Sequence, residues 1–188
     1  DLYPVIKYQK QDGKLAVTIT TGTSGAKIYY TTDGTVPTKT SLLYSGKIYL
    51  ENGGKISAIA VKDGVESEVA AMQFYSLTVT ADPEGAGTVT GNEIVAEGES
   101  RTITATPAEG CQFMGWYENG VLLSREITYT VEGISSDRII TARFISGDAV
   151  TFTYDVGTGN NDPENPEYLN PGESAVLKAP SRKGYFFK

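Results

Sequence analysis

The side chains of this 188-residue sequence that could bind or react are aromatic or oxygen-bearing. Trp116 and Tyr117 stand side by side, and Tyr29, Tyr30 and Tyr44 lie upstream. A flat ring packs on the C–H face of a sugar, so Trp116, Tyr117 and Tyr29 are the candidate ligand contacts. The competing reading is core or inter-module packing, the usual fate of large rings. It weighs more for Trp116, because the stretch leading up to it recurs at Gly172–Lys188, which marks a folding signature. On a strand, Tyr29 and Tyr30 point to opposite faces, so at least one is expected to be partly exposed.

Other combinations carry less. The run 155–167, DVGTGNNDPENPE, holds Asp155, Asn160, Asn161, Asp162 and Glu164. Hard oxygen ligands at short spacing suit Ca²⁺, but the ligand alternation of the twelve-residue calcium loop is missing, so a solvated flexible loop is expected. Asp33 before Gly34 reads as a turn aspartate bonded to its own backbone. Cys111 is the only cysteine and histidine is absent, which excludes an intrachain disulfide and a Cys–His nucleophile within this chain. A buried thiol beside Phe113 is expected instead. Glu84, Glu97, Glu99 and Glu109 fall at turns, whereas paired acid–base work needs two carboxyls facing across a pocket. Gly85-Ala86-Gly87 opens no helix and so makes no phosphate loop. No catalytic, metal-ligating or cofactor-binding residue is assigned, and the expectation is a protein that is not an enzyme.

Composition narrows the partners. A formal net charge of −7 and a pI near 4.7 oppose nucleic acid and anionic membranes, both of which need a basic face. No apolar run approaches the ~18 residues of a membrane span. Asp1 opens no signal peptide and the chain starts in an extended stretch, so an excised piece of something longer is expected, with any export signal or anchor outside it.

The elements that would position these residues are short strands. Leu15, Val17 and Ile19 alternate within Lys14–Thr20; Ala26–Thr32 is rich in β-branched and aromatic residues; Lys47–Leu50, Lys55–Lys62 and Glu66–Tyr75 follow. Asp63-Gly64 predicts a hairpin turn, as does Asn119-Gly120 further on. Past residue 76, strands are expected at Leu77–Thr80, Thr88–Thr90, Ile94–Ala96, Arg101–Thr106, Cys111–Tyr117, Ile127–Val131 and Arg138–Phe144, and then a strand alternating Val150, Phe152 and Tyr154 before a long loop, Val156 to Pro171. No window carries a helical period. Gly98–Trp116, GESRTITATPAEGCQFMGW, is repeated at Gly172–Lys188, GESAVLKAPSRKGYFFK. Gly98, Glu99, Ser100, Ile103, Ala105, Gly110 and Phe113 match Gly172, Glu173, Ser174, Leu177, Ala179, Gly184 and Phe187 at a constant offset of 74 residues. A fixed offset of that size signals tandem modules, the second cut short by the end of the sequence.

Two resemblances rest on these residues. Ile28-Tyr29-Tyr30-Thr31-Thr32-Asp33-Gly34-Thr35-Val36-Pro37-Thr38, with Ser41, Tyr44, Gly46, Ile48 and Ile56-Ser57-Ala58-Ile59-Ala60-Val61, resembles the chitobiase/β-hexosaminidase C-terminal-type domain. That resemblance implies an immunoglobulin-like sandwich accessory to secreted hydrolases and surface proteins, without the catalytic barrel. Leu77-Thr78-Val79, Pro83, Gly85, Gly87, Val89, Gly98-Glu99, Ala105-Thr106-Pro107, Gly110, Phe113, Gly115-Trp116 and Ile140-Thr141-Ala142-Arg143-Phe144 resemble the divergent internalin B-type repeat of bacterial surface proteins, although Cys111 departs from an aromatic usual there. The Lys-Gly-Tyr-Phe-Phe end of the second copy is closer to the listeria–bacteroides-type repeat. Such repeats are compact and mainly β, some likened to the β-grasp class, and serve as spacers, stalks or adhesive modules.

The expected fold is therefore all-β: an immunoglobulin-like β-sandwich over 1–76, a small mainly-β repeat over 77–146 and a truncated repeat over 147–188. Short connections near Ser76 and Gly147 are expected to make a semi-rigid rod. The 42-residue last piece is too small for a core of its own and is expected to order only by packing on a neighbour. The expected role is a non-catalytic spacer or adhesion segment of a secreted or wall-attached protein, extracellular or at the cell surface. Its partners would be neighbouring domains of the same chain and possible glycan or host and cell-surface protein ligands. The alternative is a carbohydrate-binding accessory to a secreted glycoside hydrolase.

Overall fold

In the computed structural model the described residues are 1–183, so the repeat matches at Gly184 and Phe187 lie outside them. Every regular element among them is a strand: β1 (Pro4–Gln11), β2 (Lys14–Thr21), β3 (Lys27–Thr31), β4 (Leu42–Leu43), β5 (Ile48–Leu50), β6 (Gly54–Lys62), β7 (Val65–Glu66), β8 (Ala70–Asp82), β9 (Gly87–Thr90), β10 (Glu93–Ala96), β11 (Arg101–Pro107), β12 (Cys111–Glu118), β13 (Val121–Ser124), β14 (Thr128–Val131), β15 (Arg138–Ser146), β16 (Val150–Thr151) and β17 (Tyr168–Leu169). No helix of the described residues is long and apolar enough to cross a membrane. The fold is all-β, an immunoglobulin-like sandwich with further β modules.

The chain divides into two compact units, each made of separate stretches. The first comprises Asp1–Val79, Gly91–Ile103 and Thr130–Ile140. Its strands β1, β2 and β5 form one antiparallel sheet. A second sheet runs β8-β6-β3-β4, with β7 on β6 and β10 on β8. Period-two alternation in β1 and β2 turns Ile6, Leu15, Val17 and Ile19 inward. They meet Ile28, Ile56, Ala58, Ala60, Phe74 and Ala96 in the core of a sandwich. Ala96 enters that core because β10 pairs antiparallel with β8, Ala96 opposite Phe74. The Asp63-Gly64 turn has both residues at positive φ, 49° and 82°, as a two-residue type I′ hairpin requires. Asn119-Gly120 does the same between β12 and β13, at 49° and 79°.

The second unit comprises Thr80–Thr90, Thr104–Tyr129 and the chain from Thr141 onward. Here β12 lies between β13 and β15, and β9 pairs with β11. Trp116, Phe144, Ala86, Ala105 and Ala142 are buried in it. β16 pairs with β17, and Asn160 bridges to Ser181.

Three expectations need correction. β8 runs unbroken through Ser76, so no connection separates strands there. Val150–Tyr154 is regular only over Val150–Thr151, and Phe152 and Tyr154 stack their rings instead, centroids 6.3 Å apart. The 156–171 loop is not merely solvated. Its Asn165 is buried, with the amide donating to Asn161 and the Lys178 carbonyl at 2.8 Å each and accepting from the Lys178 N–H at 2.6 Å. Those bonds satisfy the side chain that burial would otherwise penalise.

Candidate functional site

The aromatic end of β12 is shaped by one irregularity. The strand alternates from Cys111 to Phe113, then the register against β15 shifts between Phe113 and Gly115. A bulge of this kind breaks period two, so the adjacent Gly115 and Trp116 are both buried. Gly115 has φ +149°, and a Cβ there would meet Leu122 Cδ1 at 2.5 Å and the Ser124 carbonyl at 3.0 Å, so only glycine fits. Trp116 has 0% exposure. Its ring meets Phe113 edge-on at 5.4 Å, and its Nε1–H donates to the Glu126 carbonyl at 3.0 Å. An indole with no exposed face and its polar atom bonded offers no stacking surface to a sugar. Cys111, expected to be buried, is half-buried.

Tyr117, the next residue, is half-buried. The Arg143 guanidinium of β15 lies over its ring, 4.2 Å from the centroid, within cation–π range. The two line a cleft of about 820 Å³ with Asp82 from the end of β8, Tyr168 from β17 and Glu173 beyond it. Burial pushes the Tyr168 phenol up, the neighbouring Tyr117, Glu173 and Asp82 push the same way, and Arg143 opposes them. These five side chains therefore converge on one space, although they come from four separate parts of the sequence.

The far wall is held by the second copy of the repeated stretch. Asn170 is buried; it accepts from the Ser146 N–H at 2.9 Å and donates to the Phe144 carbonyl at 3.2 Å. Asn170 to Glu173 reproduce a turn of the first copy. Glu99 N–H donates to the Ala96 carbonyl at 3.1 Å, and Glu173 N–H to the Asn170 carbonyl at 3.0 Å. In return the Glu99 carboxylate accepts from the Ala96 N–H at 3.1 Å, and the Glu173 carboxylate from the Asn170 N–H at 2.7 Å. The third residue of each turn is glycine with positive φ, 83° at Gly98 and 88° at Gly172, as a type II turn demands. The copies differ in the other carboxylate oxygen. Glu99 Oε1 accepts from the Tyr8 hydroxyl at 2.7 Å, whereas Glu173 Oε1 has no bond among the described residues.

The remaining candidates are placed elsewhere. Tyr29 sits mid-β3 between Ile59 and Leu43, half-buried and outside the cleft. Tyr30 packs on the sandwich core, edge-on to Tyr44 at 6.2 Å. Asp33 accepts from the Thr35 hydroxyl at 2.6 Å and the Thr35 N–H at 3.0 Å, and these bonds hold its carboxyl below the usual carboxylate range. In the calcium-like run, Asp155 accepts from the Gly157 N–H, Asp162 from the Glu164 N–H, and Glu164 pairs with Lys178. Among the described residues no cluster of three or more His, Cys, Asp or Glu is placed to hold a metal. A second cleft, about 610 Å³, lies in the first unit, but the charge at its edge is matched. Glu93 accepts from Arg101 at 2.8 Å and pairs with Lys10.

Of the cleft residues the sequence singled out Tyr117 as a ligand contact, Asn161, Asp162 and Glu164 within the calcium-like run, and Arg143 and Glu173 only as repeat positions. Asp82 and Tyr168 carry no local signal, because distant strand pairing brings them to the cleft.

Comparison with known families agrees with the sequence resemblances. Residues 7–72 match the chitobiase/beta-hexosaminidase C-terminal domain. Residues 77–148 match the divergent InlB B-repeat domain. These are accessory and repeat domains rather than catalytic ones, of types typical of extracellular or surface bacterial proteins. No curated protein matches the chain.

Proposed function

We propose that this chain, a chitobiase/beta-hexosaminidase C-terminal domain followed by a divergent InlB B-repeat domain, is a non-catalytic spacer or adhesion segment of a secreted or wall-attached surface protein. The observation that carries the reading is the pairing of two accessory domain types with a second copy of the Gly-Glu turn at Gly172-Glu173. Repetition of one structural unit extends a chain without adding chemistry, which is what a spacer needs. The segments 1–76, 77–146 and 147–188 are its modules, and neighbouring domains of the same chain are its first partners. The acidic composition suits repulsion from anionic surfaces rather than adhesion to them.

Protease shaving of intact producing cells tests the location. Release of peptides from this chain into the medium is expected; retention with cytoplasmic markers until lysis would overturn the proposal. The purified chain should not hydrolyse aryl β-glycosides of glucose or N-acetylglucosamine. The cleft beside Tyr117 is the specific observation in favour of the second reading, a carbohydrate-binding accessory module.

A further inference from the structure

We propose that the cleft lined by Tyr117, Arg143, Asp82, Tyr168 and Glu173 is a subsite for a neutral saccharide, one of whose hydroxyls donates to Glu173 Oε1. The two copies of the Gly-Glu turn supply the reason. In the first copy the glutamate holds its own turn with one oxygen and a hydroxyl, that of Tyr8, with the other. In the second copy the turn bond is kept at 2.7 Å, and Glu173 is exposed in the cleft wall, where its other oxygen is open to a ligand donor. A ligand hydroxyl completes in the second copy the bond that a tyrosine makes in the first.

The rest of the wall selects the kind of hydroxyl compound. Asp82 accepts, Arg143 donates, and the Tyr168 hydroxyl, with no bond among the described residues, does either. A sugar hydroxyl is both donor and acceptor, so vicinal hydroxyls use such a mixed wall in full. The rings of Tyr117 and Tyr168 add apolar surface for C–H faces. Charge removes one competitor. Asp82, Asp162, Glu164, Glu167 and Glu173 outnumber Arg125 and Arg143 around the cleft, which repels an anionic ligand. The volume of about 820 Å³ lies within the range of roughly 300–1,000 Å³ usual for small-molecule sites. This deepens the carbohydrate-binding reading and rests on it, whereas the spacer role stands whether or not the cleft is used.

The test uses the whole 188-residue chain with cellobiose, N,N′-diacetylchitobiose, lactose and maltose as probes, read by saturation-transfer NMR and titration calorimetry. At least one should bind saturably with a Kd of roughly millimolar order or tighter. Glu173→Gln keeps an oxygen for the turn bond, and Tyr168→Phe keeps the ring. Each should weaken binding about tenfold with an unchanged melting temperature, while Tyr29→Phe leaves it alone. Absence of saturable binding to all four sugars would overturn the proposal, and so would equal binding by wild type and both cleft variants. Binding of the peptide Gly-Tyr-Gly in place of sugars would overturn it too, and would show that the cleft docks a protein tyrosine as Glu99 docks Tyr8.

Discussion

A methyl group added to Gly87 would lie 2.4, 2.6 and 2.9 Å from three carbons of the Phe144 ring. That ring is fully buried and meets Phe113 edge-on at 5.7 Å, so it has no free space to turn into. Gly87→Ala should therefore destabilise the chain by about 1–3 kcal/mol, the usual cost of overpacking a filled core. Thermal unfolding measures it, and an unchanged melting temperature would mean that the β9 backbone yields instead. Trp116 gives the opposite experiment. Trp116→Ala leaves a cavity where an indole stood and frees the Glu126 carbonyl, for a loss of about 3–5 kcal/mol. As the only tryptophan, its emission in the wild-type chain should be blue-shifted and poorly quenched by acrylamide until unfolding. Ready quenching in the native state would contradict its burial.

At the scale of elements, the Ala96–Glu99 turn is tied to β1 by a small network. Burial raises the Glu99 carboxyl, but the Tyr8 hydroxyl, the Ala96 N–H and Arg101 together outweigh it and hold the carboxyl below its ordinary value of 4.5. The bond to Glu99, with burial and the Glu99 charge, pushes the Tyr8 phenol above 10.0, against the pull of Arg101. A depressed carboxyl contributes stability that is complete above the ordinary carboxylate value and lost as pH falls through the folded value. A raised phenol contributes stability that is complete below the ordinary tyrosine value and lost as pH rises through the folded one. A double-mutant cycle of Tyr8→Phe and Glu99→Gln should give a coupling of about 1 kcal/mol at neutral pH that shrinks as the carboxyl protonates. A coupling that persists unchanged after the Glu99 carboxyl has protonated would show that ionised Glu99 is not its source. Elements of this kind were partly legible beforehand. Leu15, Val17 and Ile19 announced β2, and Asp63-Gly64 and Asn119-Gly120 announced their hairpins, because period two and positive φ are local demands. The bulge at Phe113/Gly115 was hidden, since nothing near Trp116 records the partner strand against which the register shifts. The Tyr8–Glu99 bond spans 91 residues and has no local trace either.

For the molecule as a whole, the compact units and the family matches divide the chain at different places. The first family match ends at residue 72, yet the first unit also takes in Gly91–Ile103 and Thr130–Ile140. Within that unit Phe74 is fully buried, with Ala96 of β10 opposite it in the ladder. The Ser76 N–H donates to Asp137 at 2.7 Å, and Ile134 exchanges bonds with Gly98 and Glu99 at 2.7 and 2.8 Å. A fragment of residues 1–76 keeps both sheets of the sandwich but loses β10, the Asp137 carboxylate and the Glu99 partner of Tyr8. Exposing one large side chain such as Phe74 costs about 1.5–3 kcal/mol, and each lost bond about 1 kcal/mol more. Residues 1–76 alone should thus be about 3 kcal/mol or more less stable than the same residues within 1–146. Hydrogen exchange of the β2 and β6 amides reads the same core in both fragments, so other changes in the longer one do not confuse the comparison. Equal protection in the two would show that the sandwich is complete at residue 76 and that β10 is an addition to it. Faster exchange throughout β2 and β6 in the short fragment would show that the repeat's first strands finish the sandwich before they do anything else.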